Sequence, residues 1–370
     1  MKLDDIFNLN QTMPGIAGTG LIALDIIIND NTKFELKFNA GGSCGNVLTI
    51  LSYLGWKSYP ITHLGSDEAT NIIIRDMINW GVDISSIIQS EAGNTPVIIE
   101  IIRNNRNNPS HRFLWTCPNC GAKLPRFKAL SKRDLARLMN NLPESSVFYF
   151  DRATYSSMKI AEAYKEKGSL IFFEPNRIRN QELFSKCIEL ADIIKFSHDT
   201  IGRHKDLFLK TNAPLLIETL GKDGIRFSYH DENRERREWK NMTAFCINKL
   251  KDAAGAGDWC SAGIIHLLGR YGARNLSGLD DQDMENAISF GQALAAINCQ
   301  FEGARGAMYE LTPNELLKIA NAMNEESFDI EFTVSDCQRT TINSMTNLCP
   351  ECRRKFDFTN REENRSELMR

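Results

Sequence analysis

The middle and end of the chain alternate short apolar runs with helical patterns, and this alternation constrains the fold more than any other feature. The apolar runs are rich in β-branched and aromatic residues and predict strands at 145–151, 169–176, 191–197 and 213–221. Helical spacing separates or follows them, at 157–168, 260–272 and 285–300. Apolar strands that alternate with helices favour a mostly parallel sheet covered on both faces. The predicted fold class is therefore α/β, with three α/β/α layers.

The charge balance and the apolar pattern exclude several classes of protein. The 370 residues include 44 basic and 47 acidic side chains, and this net charge of −3 offers no footprint for nucleic acid or an anionic membrane. No apolar run could span a bilayer, and residues 1–15 contain no signal-peptide core. The basic stretch 123–138 spaces its leucines along one helix face, which favours a solvated helix over a nucleic-acid surface. We expect a cytoplasmic protein that binds neither membranes nor nucleic acid.

Residues 252–258 read DAAGAGD, a glycine-rich turn that leads into a helical pattern. Such a turn presents free backbone N–H groups and the positive end of the helix dipole, which together bind a phosphate. An aspartate directly behind the turn, Asp258, can accept a proton from a hydroxyl beside that phosphate. This combination suits phosphoryl transfer to an alcohol. The competing interpretation is a plain helix start in which Asp258 only complements the dipole.

Other phosphate-binding motifs fit the sequence less well. The chain contains no GxxxxGK[ST], so a Walker-type loop is excluded. The segment GTGLIA at 18–23 resembles part of a dinucleotide fingerprint, but a strand pattern follows it where that fingerprint requires a helix. A Rossmann oxidoreductase is therefore disfavoured.

Four segments together resemble the PfkB/ribokinase family of sugar and nucleoside kinases. In chain order they are AGGSCGNVLTILSYLGW (40–56), THLGSDEATNIIIRDMINWGVD (62–83), ETLGKDGIRF (218–227) and DAAGAGDWCSAG (252–263). Their order and spacing match the family over roughly 18–310. Three glycine motifs are specific only in combination: the double glycine at 41–42 with Asn46, the turn TLGKDG at 219–224 and GAGD at 255–258. The resemblance implies a ribokinase-like kinase domain over 17–330, with a small lid of strands at about 26–39 and 95–116. Residues 331–370 are then a C-terminal tail.

The resemblance also implies roles for individual residues. Asp258 falls on the catalytic base, and the backbone amides of Gly255, Ala256 and Gly257 on the anion hole. The positions that bind acceptor hydroxyls are Asp25, Gly41, Gly42 and Asn46. The positions beside the nucleotide are Thr219, Gly221, Gly224 and Asn298. Asp252 matches a residue that binds a monovalent cation, which allows activation by K⁺. The implied cofactors are ATP and Mg²⁺.

The sequence departs from the family at two places, and the first of them concerns the expected metal site. The family commonly has an Asn-x-x-Glu pattern that organises water around magnesium, whereas this chain has Ser197-His198-Asp199-Thr200. Glu174 stands where the family usually has aspartate. Because ATP is charge-neutralised by magnesium in essentially every kinase, Mg²⁺ is still expected.

Two cysteine pairs have the C-P-x-C form of zinc-ribbon knuckles: Cys117 with Cys120, and Cys349 with Cys352. Two residues between the thiols of a pair allow both to bind one metal, and two pairs complete a closed Cys₄ shell. We predict one shared structural Zn²⁺ that ties the tail to the region near the lid. A redox pair and a knuckle exchanged between two subunits are the alternatives. The other six cysteines are interpreted as small buried hydrophobes.

The favoured function is ATP-dependent phosphorylation of a hydroxyl on a sugar or sugar-like molecule. Within the family the acceptor stays open between ribose, fructose, 2-keto-3-deoxygluconate and nucleosides. The alternative function is a kinase-like scaffold with little or no catalysis that binds a partner through its zinc-tied tail. The family resemblance also allows a homodimer formed through the lid.

Overall fold

The computed structural model describes residues 13–29, 36–91, 95–105, 108–204, 206–209, 211–230, 235–247, 249–324 and 348–354. Of the predicted tail, 331–370, only 348–354 belong to these residues. Residues 30–35 of the first predicted lid segment also lie outside them, and so does the lone Cys337.

The described residues form fourteen strands and eleven α-helices. The strands are β1 (Gly15–Thr19), β2 (Ala23–Asn29), β3 (Leu36–Gly41), β4 (Lys57–Pro60), β5 (Thr62–Gly65), β6 (Ile87–Ser90), β7 (Val97–Asn105), β8 (Asn108–Leu114), β9 (Val147–Phe150), β10 (Leu170–Phe173), β11 (Ile193–Ser197), β12 (Leu215–Thr219), β13 (Ile225–Tyr229) and β14 (Lys240–Met242). The helices are α1 (Ser43–Tyr53), α2 (Glu68–Asn79), α3 (Lys132–Met139), α4 (Tyr155–Glu166), α5 (Gln181–Leu190), α6 (His198–Ile201), α7 (Asp206–Leu209), α8 (Ala256–Leu268), α9 (Asp281–Asn298), α10 (Gly306–Glu310) and α11 (Pro313–Asn324).

The large sheet has eight strands in the order β14-β13-β12-β11-β10-β9-β1-β4. The six strands from β4 to β12 are parallel to their neighbours, and β13 and β14 are antiparallel. Alternate residues of a strand face opposite sides: Val147 and Tyr149 belong to one hydrophobic cluster, Phe148 and Phe150 to another. Both faces are therefore buried, which confirms the predicted α/β fold with a mostly parallel sheet.

A second sheet has four strands in the order β3-β2-β7-β8. The central pair β2 and β7 is parallel, and each of them has an antiparallel neighbour. These strands overlap the segments predicted to form the lid, and that function stays a prediction. The turn between β7 and β8 is tighter than the expected 104–110, because the ladder continues to the pair Asn105 and Asn108.

The carboxyl ends of the parallel strands place polar residues along one edge of the large sheet. Asp151 follows β9, Glu174 follows β10, and β11 ends at Ser197. Ligands of open α/β sheets bind at this edge, so it is the expected place for a functional site. No helix among the described residues is both long and apolar enough to cross a membrane.

Candidate active site and cysteine cluster

The turn at 252–258 begins helix α8 in a way that leaves its first N–H groups open. Gly255 is the N-terminal cap with φ 74°, in the left-handed region, and no side chain caps the helix. A Cβ at Gly255 would overlap the carbonyl of Ala304, so this position requires glycine for two reasons. Gly257 is exposed although Ala254 and Trp259 on either side are buried. The start of α8 is thus a cradle of backbone donors that an anion can reach.

Asp258 lies in the first turn of α8 and points toward helix α1. Its Oδ2 accepts a hydrogen bond of 2.7 Å from Nδ2 of Asn46. Desolvation by the surrounding protein, followed by the charge of Glu174, raises the pKa of Asp258 to about 8. A carboxyl group with a pKa near the working pH can take a proton from a hydroxyl, as a general base must.

A buried ion pair stands beside the cradle. Lys195, 2% exposed on β11, donates to Oε1 of Glu174, and its Nζ would lie 3.7 Å from a Cβ placed on Gly257. Burial alone would lower the pKa of Lys195, but the carboxylate of Glu174 and its neighbours raise it. The other oxygen of Glu174 accepts from Tyr149 at 3.0 Å and from Ser261 at 2.5 Å. A fixed positive charge therefore lies next to the amides that would bind phosphate.

Sequence analysis did not single out Lys195. The available signal was a lysine inside the apolar strand IIKFS, since a buried lysine needs a partner. That partner, Glu174, was identified only as a departure from the family pattern.

The residues predicted to bind the acceptor come together on the other side of Asp258. A Cβ at Gly41 would overlap the carboxylate of Asp25, so the glycine allows this close approach. The buried atoms Oδ1 of Asp25 and Oδ1 of Asn46 have no hydrogen-bond partner among the residues that the structure describes. Burial raises the pKa of Asp25 to about 7, against the lowering effects of Arg305 and the backbone of Gly42. Unpaired polar atoms facing one space are suited to bind hydroxyl groups.

The side chains of Asp252 and Asn298 form hydrogen bonds with the backbone of the turn and of the loop at 303–304. The carboxylate of Asp252 accepts from the backbone N–H groups of Ala254 and Gly303, each at 2.9 Å. The buried amide of Asn298 donates to the carbonyls of Ala254 (3.2 Å) and Ala304 (3.3 Å). Both side chains thus hold the turn against the following loop. The predicted contacts of Asp252 with a monovalent cation and of Asn298 with a nucleotide base stay predictions.

Comparison with known proteins decides the family of this site. The sequence profile described as pfkB family carbohydrate kinase matches residues 19–310. The chain belongs to this family. The members of this family are phosphotransferases. One relative, a putative sugar kinase from Pyrococcus horikoshii, is 25% identical over 330 residues, and the match covers 85% of this chain and 98% of that relative.

Solved structures identify the fold of this pfkB family chain. A fructokinase with bound ATP from Xylella fastidiosa has a TM-score of 0.64 at 16% identity, covering 84% of this chain and 99% of that one. A nucleoside kinase from Methanocaldococcus jannaschii, an archaeal member of the ribokinase family, has a TM-score of 0.60 at 20% identity, covering 85% and 100%. The fold is thus that of the ribokinase family.

The glycine turn predicted to lie beside the nucleotide connects β12 to β13. Thr219 ends β12, and Gly221 and Gly224 have φ values of 61° and 99°. A Cβ at Gly224 would overlap the carbonyl of Met242. The turn lies at the carboxyl end of a parallel strand, as the nucleotide prediction requires, and its contact with ATP stays a prediction.

The segment 197–200 differs from the Asn-x-x-Glu pattern of the pfkB family in structure as well as in sequence. His198 contacts the fully buried Glu218 through Nδ1 at 2.7 Å, and Asp199 is exposed. The hydroxyl of Thr200 donates to the carbonyl of Ser197. Thr200 therefore provides no carboxylate at the glutamate position of the family pattern, and Asp199 is the adjacent acid in the sequence.

The two cysteine knuckles meet, as predicted, at the end of β8. The sulfur of Cys117 lies 3.8 Å from that of Cys352, and the sulfur of Cys120 lies 3.7 Å from that of Cys349. All four sulfurs lie within 4.8 Å of one another, and none forms a disulfide. Among the lone cysteines, Cys44, Cys187, Cys260 and Cys299 are buried as expected, whereas Cys246 is exposed.

Proposed function

We propose that this chain is an ATP-dependent kinase that phosphorylates a hydroxyl of a sugar or sugar-like molecule. The observation that carries the proposal is the placement of Asp258. It lies in the first turn of an uncapped helix, has a pKa of about 8, and is oriented by Asn46. Asp258 removes the proton of the attacking hydroxyl, and the amides of Gly255, Ala256 and Gly257 stabilise the charge on the transferred group.

Asp25, Gly41, Gly42 and Asn46 hold the acceptor. The glycines allow the sugar ring to approach the backbone, and the unpaired oxygens of Asp25 and Asn46 accept from its hydroxyls. The four-stranded sheet acts as the lid that excludes water during transfer. A homodimer formed through this lid and a cytoplasmic location stay predictions.

The nucleotide binds along the edge of the sheet that carries Thr219, Gly221 and Gly224, with Asn298 as the fourth predicted residue. The open donors of the α8 cradle and the positive charge of Lys195 fit a polyphosphate. Magnesium, when bound, would neutralise the charge of the phosphates. A K⁺ ion, if it binds beside Asp252, would stabilise the conformation of the cradle.

The cysteine cluster fits a structural Zn²⁺. A tetrahedron with zinc–sulfur bonds of ~2.3 Å has edges of about 3.8 Å, close to the sulfur distances of 3.8 and 3.7 Å between the knuckles. A backbone hydrogen bond from Ala122 lowers the pKa of Cys120, whereas burial raises the pKa values of Cys349 and Cys352, so zinc has to displace protons from these two thiols. Four thiolates leave no open position, so the ion stabilises the fold and does not take part in catalysis.

Acceptor-dependent ADP formation tests the proposed function. Purified full-length protein with Mg-ATP is offered ribose, fructose, 2-keto-3-deoxygluconate and adenosine, with the no-acceptor rate subtracted. We expect at least one of these to stimulate ADP release, and the stimulation to be lost in Asp258→Asn. If no acceptor stimulates release while ATP still binds, the chain is the partner-binding scaffold instead.

A further inference from the structure

Arg305 is a fully buried arginine next to the acceptor residues, and no prediction from the sequence included it. The side chain is 1% exposed. Its Nη2 donates to the carbonyl of Ala40 and to Oδ2 of Asp76, the latter at 2.5 Å. Ala40 directly precedes Gly41, the glycine against which the carboxylate of Asp25 packs. The guanidinium is thus anchored where the acceptor is proposed to bind.

The partners of Arg305 fix its orientation. Asp76 accepts from the backbone N–H of Ala40 at 2.9 Å and from the hydroxyl of Tyr309 at 3.1 Å. Ala304, the residue before Arg305, has its carbonyl packed against Gly255. This carbonyl oxygen accepts a hydrogen bond from Nε1 of Trp259 at 3.1 Å. The guanidinium therefore has little freedom to move, because both its head and its backbone are held.

One nitrogen of this fixed group is unused. Nη1 of Arg305 is buried and has no hydrogen-bond partner among the described residues, which is costly for a charged donor. Arg305 is the largest favourable charge acting on Asp25, yet the two described side chains form no direct ion pair. Oδ1 of Asp25 and Oδ1 of Asn46 also lack partners within the described part of the chain. Arg305, Asp25 and Asn46 each contact one residue of 40–42, so one molecule with several hydroxyls could satisfy this donor and both acceptors.

We infer that Arg305 is an acceptor-binding residue whose Nη1 donates to an oxygen of a neutral polyhydroxyl acceptor held by Asp25 and Asn46. The inference rests on the proposed function and deepens it. Arg305 then determines which sugar is accepted, because a site built to bond one oxygen rejects an analogue that lacks it.

The surrounding charges favour a neutral acceptor over a sugar phosphate or a sugar acid. The positive charge of Arg305 is already matched by Asp76 at 2.5 Å. The other titratable groups nearby are acids: Asp25, Asp258 and the buried Glu100 on β7, and burial raises their pKa values to about 7, 8 and 9. An anionic acceptor would oppose the ionisation of each acid, including the deprotonation that Asp258 needs as base.

The test compares Arg305→Gln and Arg305→Lys with the wild type in steady-state kinetics on ribose and fructose. Lysine keeps a positive charge beside Asp76, so Arg305→Lys preserves folding if Arg305→Gln does not. Lysine lacks the second nitrogen, so it cannot replace Nη1. We expect KM for the acceptor to rise about tenfold to a hundredfold in both variants, with KM for ATP within about twofold of wild type. Arg236→Gln is the matched control, since Arg236, a partly buried arginine, also donates to backbone carbonyls, those of Thr211, Ala213 and Ser228.

Two outcomes would overturn the inference. The first is an acceptor KM that stays within about twofold of wild type in folded Arg305→Lys. The second is a wild-type preference for ribose 5-phosphate or fructose 6-phosphate over the neutral sugar. As a positive signature, one monodeoxy analogue should be discriminated against by the wild type and not by Arg305→Lys. If the wild type phosphorylates neither these compounds nor 2-keto-3-deoxygluconate or adenosine, the proposed function itself fails, and if it accepts only the sugar acid, the inference alone fails.

Discussion

The start of helix α8 and the cysteine cluster both gather reactive groups, but the two regions are built in opposite ways. At and near the start of α8 several polar groups are left open: among the described residues no side chain caps the helix, and buried oxygens of Asp25 and Asn46 have no partner. In the cluster the four sulfurs face one another within 4.8 Å, so that one ion would satisfy all of them. The first arrangement suits a ligand that comes and goes, and the second a permanent ligand.

The two regions also differ in how they depend on the rest of the fold. The side chains of Asp252 and Asn298 hold the turn through hydrogen bonds to its backbone. The cluster joins a segment inside the matched kinase domain to one outside it, since Cys349 and Cys352 lie beyond residue 310. Changes at the turn that leave its backbone in place should therefore affect catalysis with little loss of stability, and changes at the cluster should do the reverse.

The largest expected effect is that of Asp258→Asn on turnover. We expect kcat to fall about 10²–10⁴-fold, because amide nitrogen cannot take the proton, while the melting temperature changes little. Steady-state ADP formation and thermal unfolding measure the two quantities. Asp283→Asn, in the first turn of α9, is the control and should keep its kcat. Equal losses of kcat in both variants would contradict the assigned role.

Gly255→Ala should have a smaller effect on turnover and a measurable one on stability. The new Cβ would clash with the carbonyl of Ala304. Alanine also disfavours the φ of 74° at this position, so the backbone amides of the cradle should shift. We expect kcat to fall about tenfold to a hundredfold, as for a displaced oxyanion donor. Gly55→Ala, with φ 89° and open space around it, shares only the backbone strain and should lose stability alone. An unchanged kcat in Gly255→Ala would remove the cradle from the mechanism.

Loss of the proposed zinc from the cysteine cluster should change kcat less than Gly255→Ala does, and should lower stability more. Purified protein should contain about one zinc per chain, and Cys349→Ser should lower the melting temperature by about 5 °C or more with kcat reduced less than about tenfold. Elemental analysis and thermal unfolding are the measurements. Cys246→Ser removes an exposed cysteine outside the cluster and should change neither. Zinc-free protein with the same melting temperature as the wild type would contradict a structural ion.

The smallest expected effect is a shift in the pH dependence. Asp258 must be deprotonated to act as base, so kcat/KM should rise with pH through about 8. The charge of Glu174 contributes to the raised pKa, so Glu174→Gln should move this rise to lower pH by ~1 unit. Glu182→Gln, which breaks an exposed pair with Lys186, is the control and should leave the profile in place. A shift to higher pH in Glu174→Gln would be incompatible with this electrostatic account.

The sequence predicts the parts of the molecule that local patterns encode. The α/β class follows from the alternation of apolar strands and helices, and the start of α8 from DAAGAGD, because glycine preferences and helix caps act over a few residues. The approach of the two knuckles could be predicted only because four cysteines suit one ion. Which sulfur lies next to which, Cys117 with Cys352, depends on the fold.

The sequence does not reveal the contacts made between distant segments. Arg305 has the sequence context of an ordinary charged residue in a loop, but it is bonded to Ala40 and Asp76, which precede it by 265 and 229 residues. Lys195 likewise owes its position in the site to Glu174 and to the nearby Gly257. Burial and partners of such side chains are properties of the tertiary structure, so a single sequence cannot supply them.

A crystal structure with a non-hydrolysable ATP analogue and a bound acceptor tests the central claim most directly. The account predicts the γ-phosphate within about 3 Å of the backbone amides at Gly255–Gly257, and an acceptor hydroxyl in hydrogen-bond reach of Asp258. A γ-phosphate bound away from the start of α8, with Asp258 touching neither ligand, would contradict it.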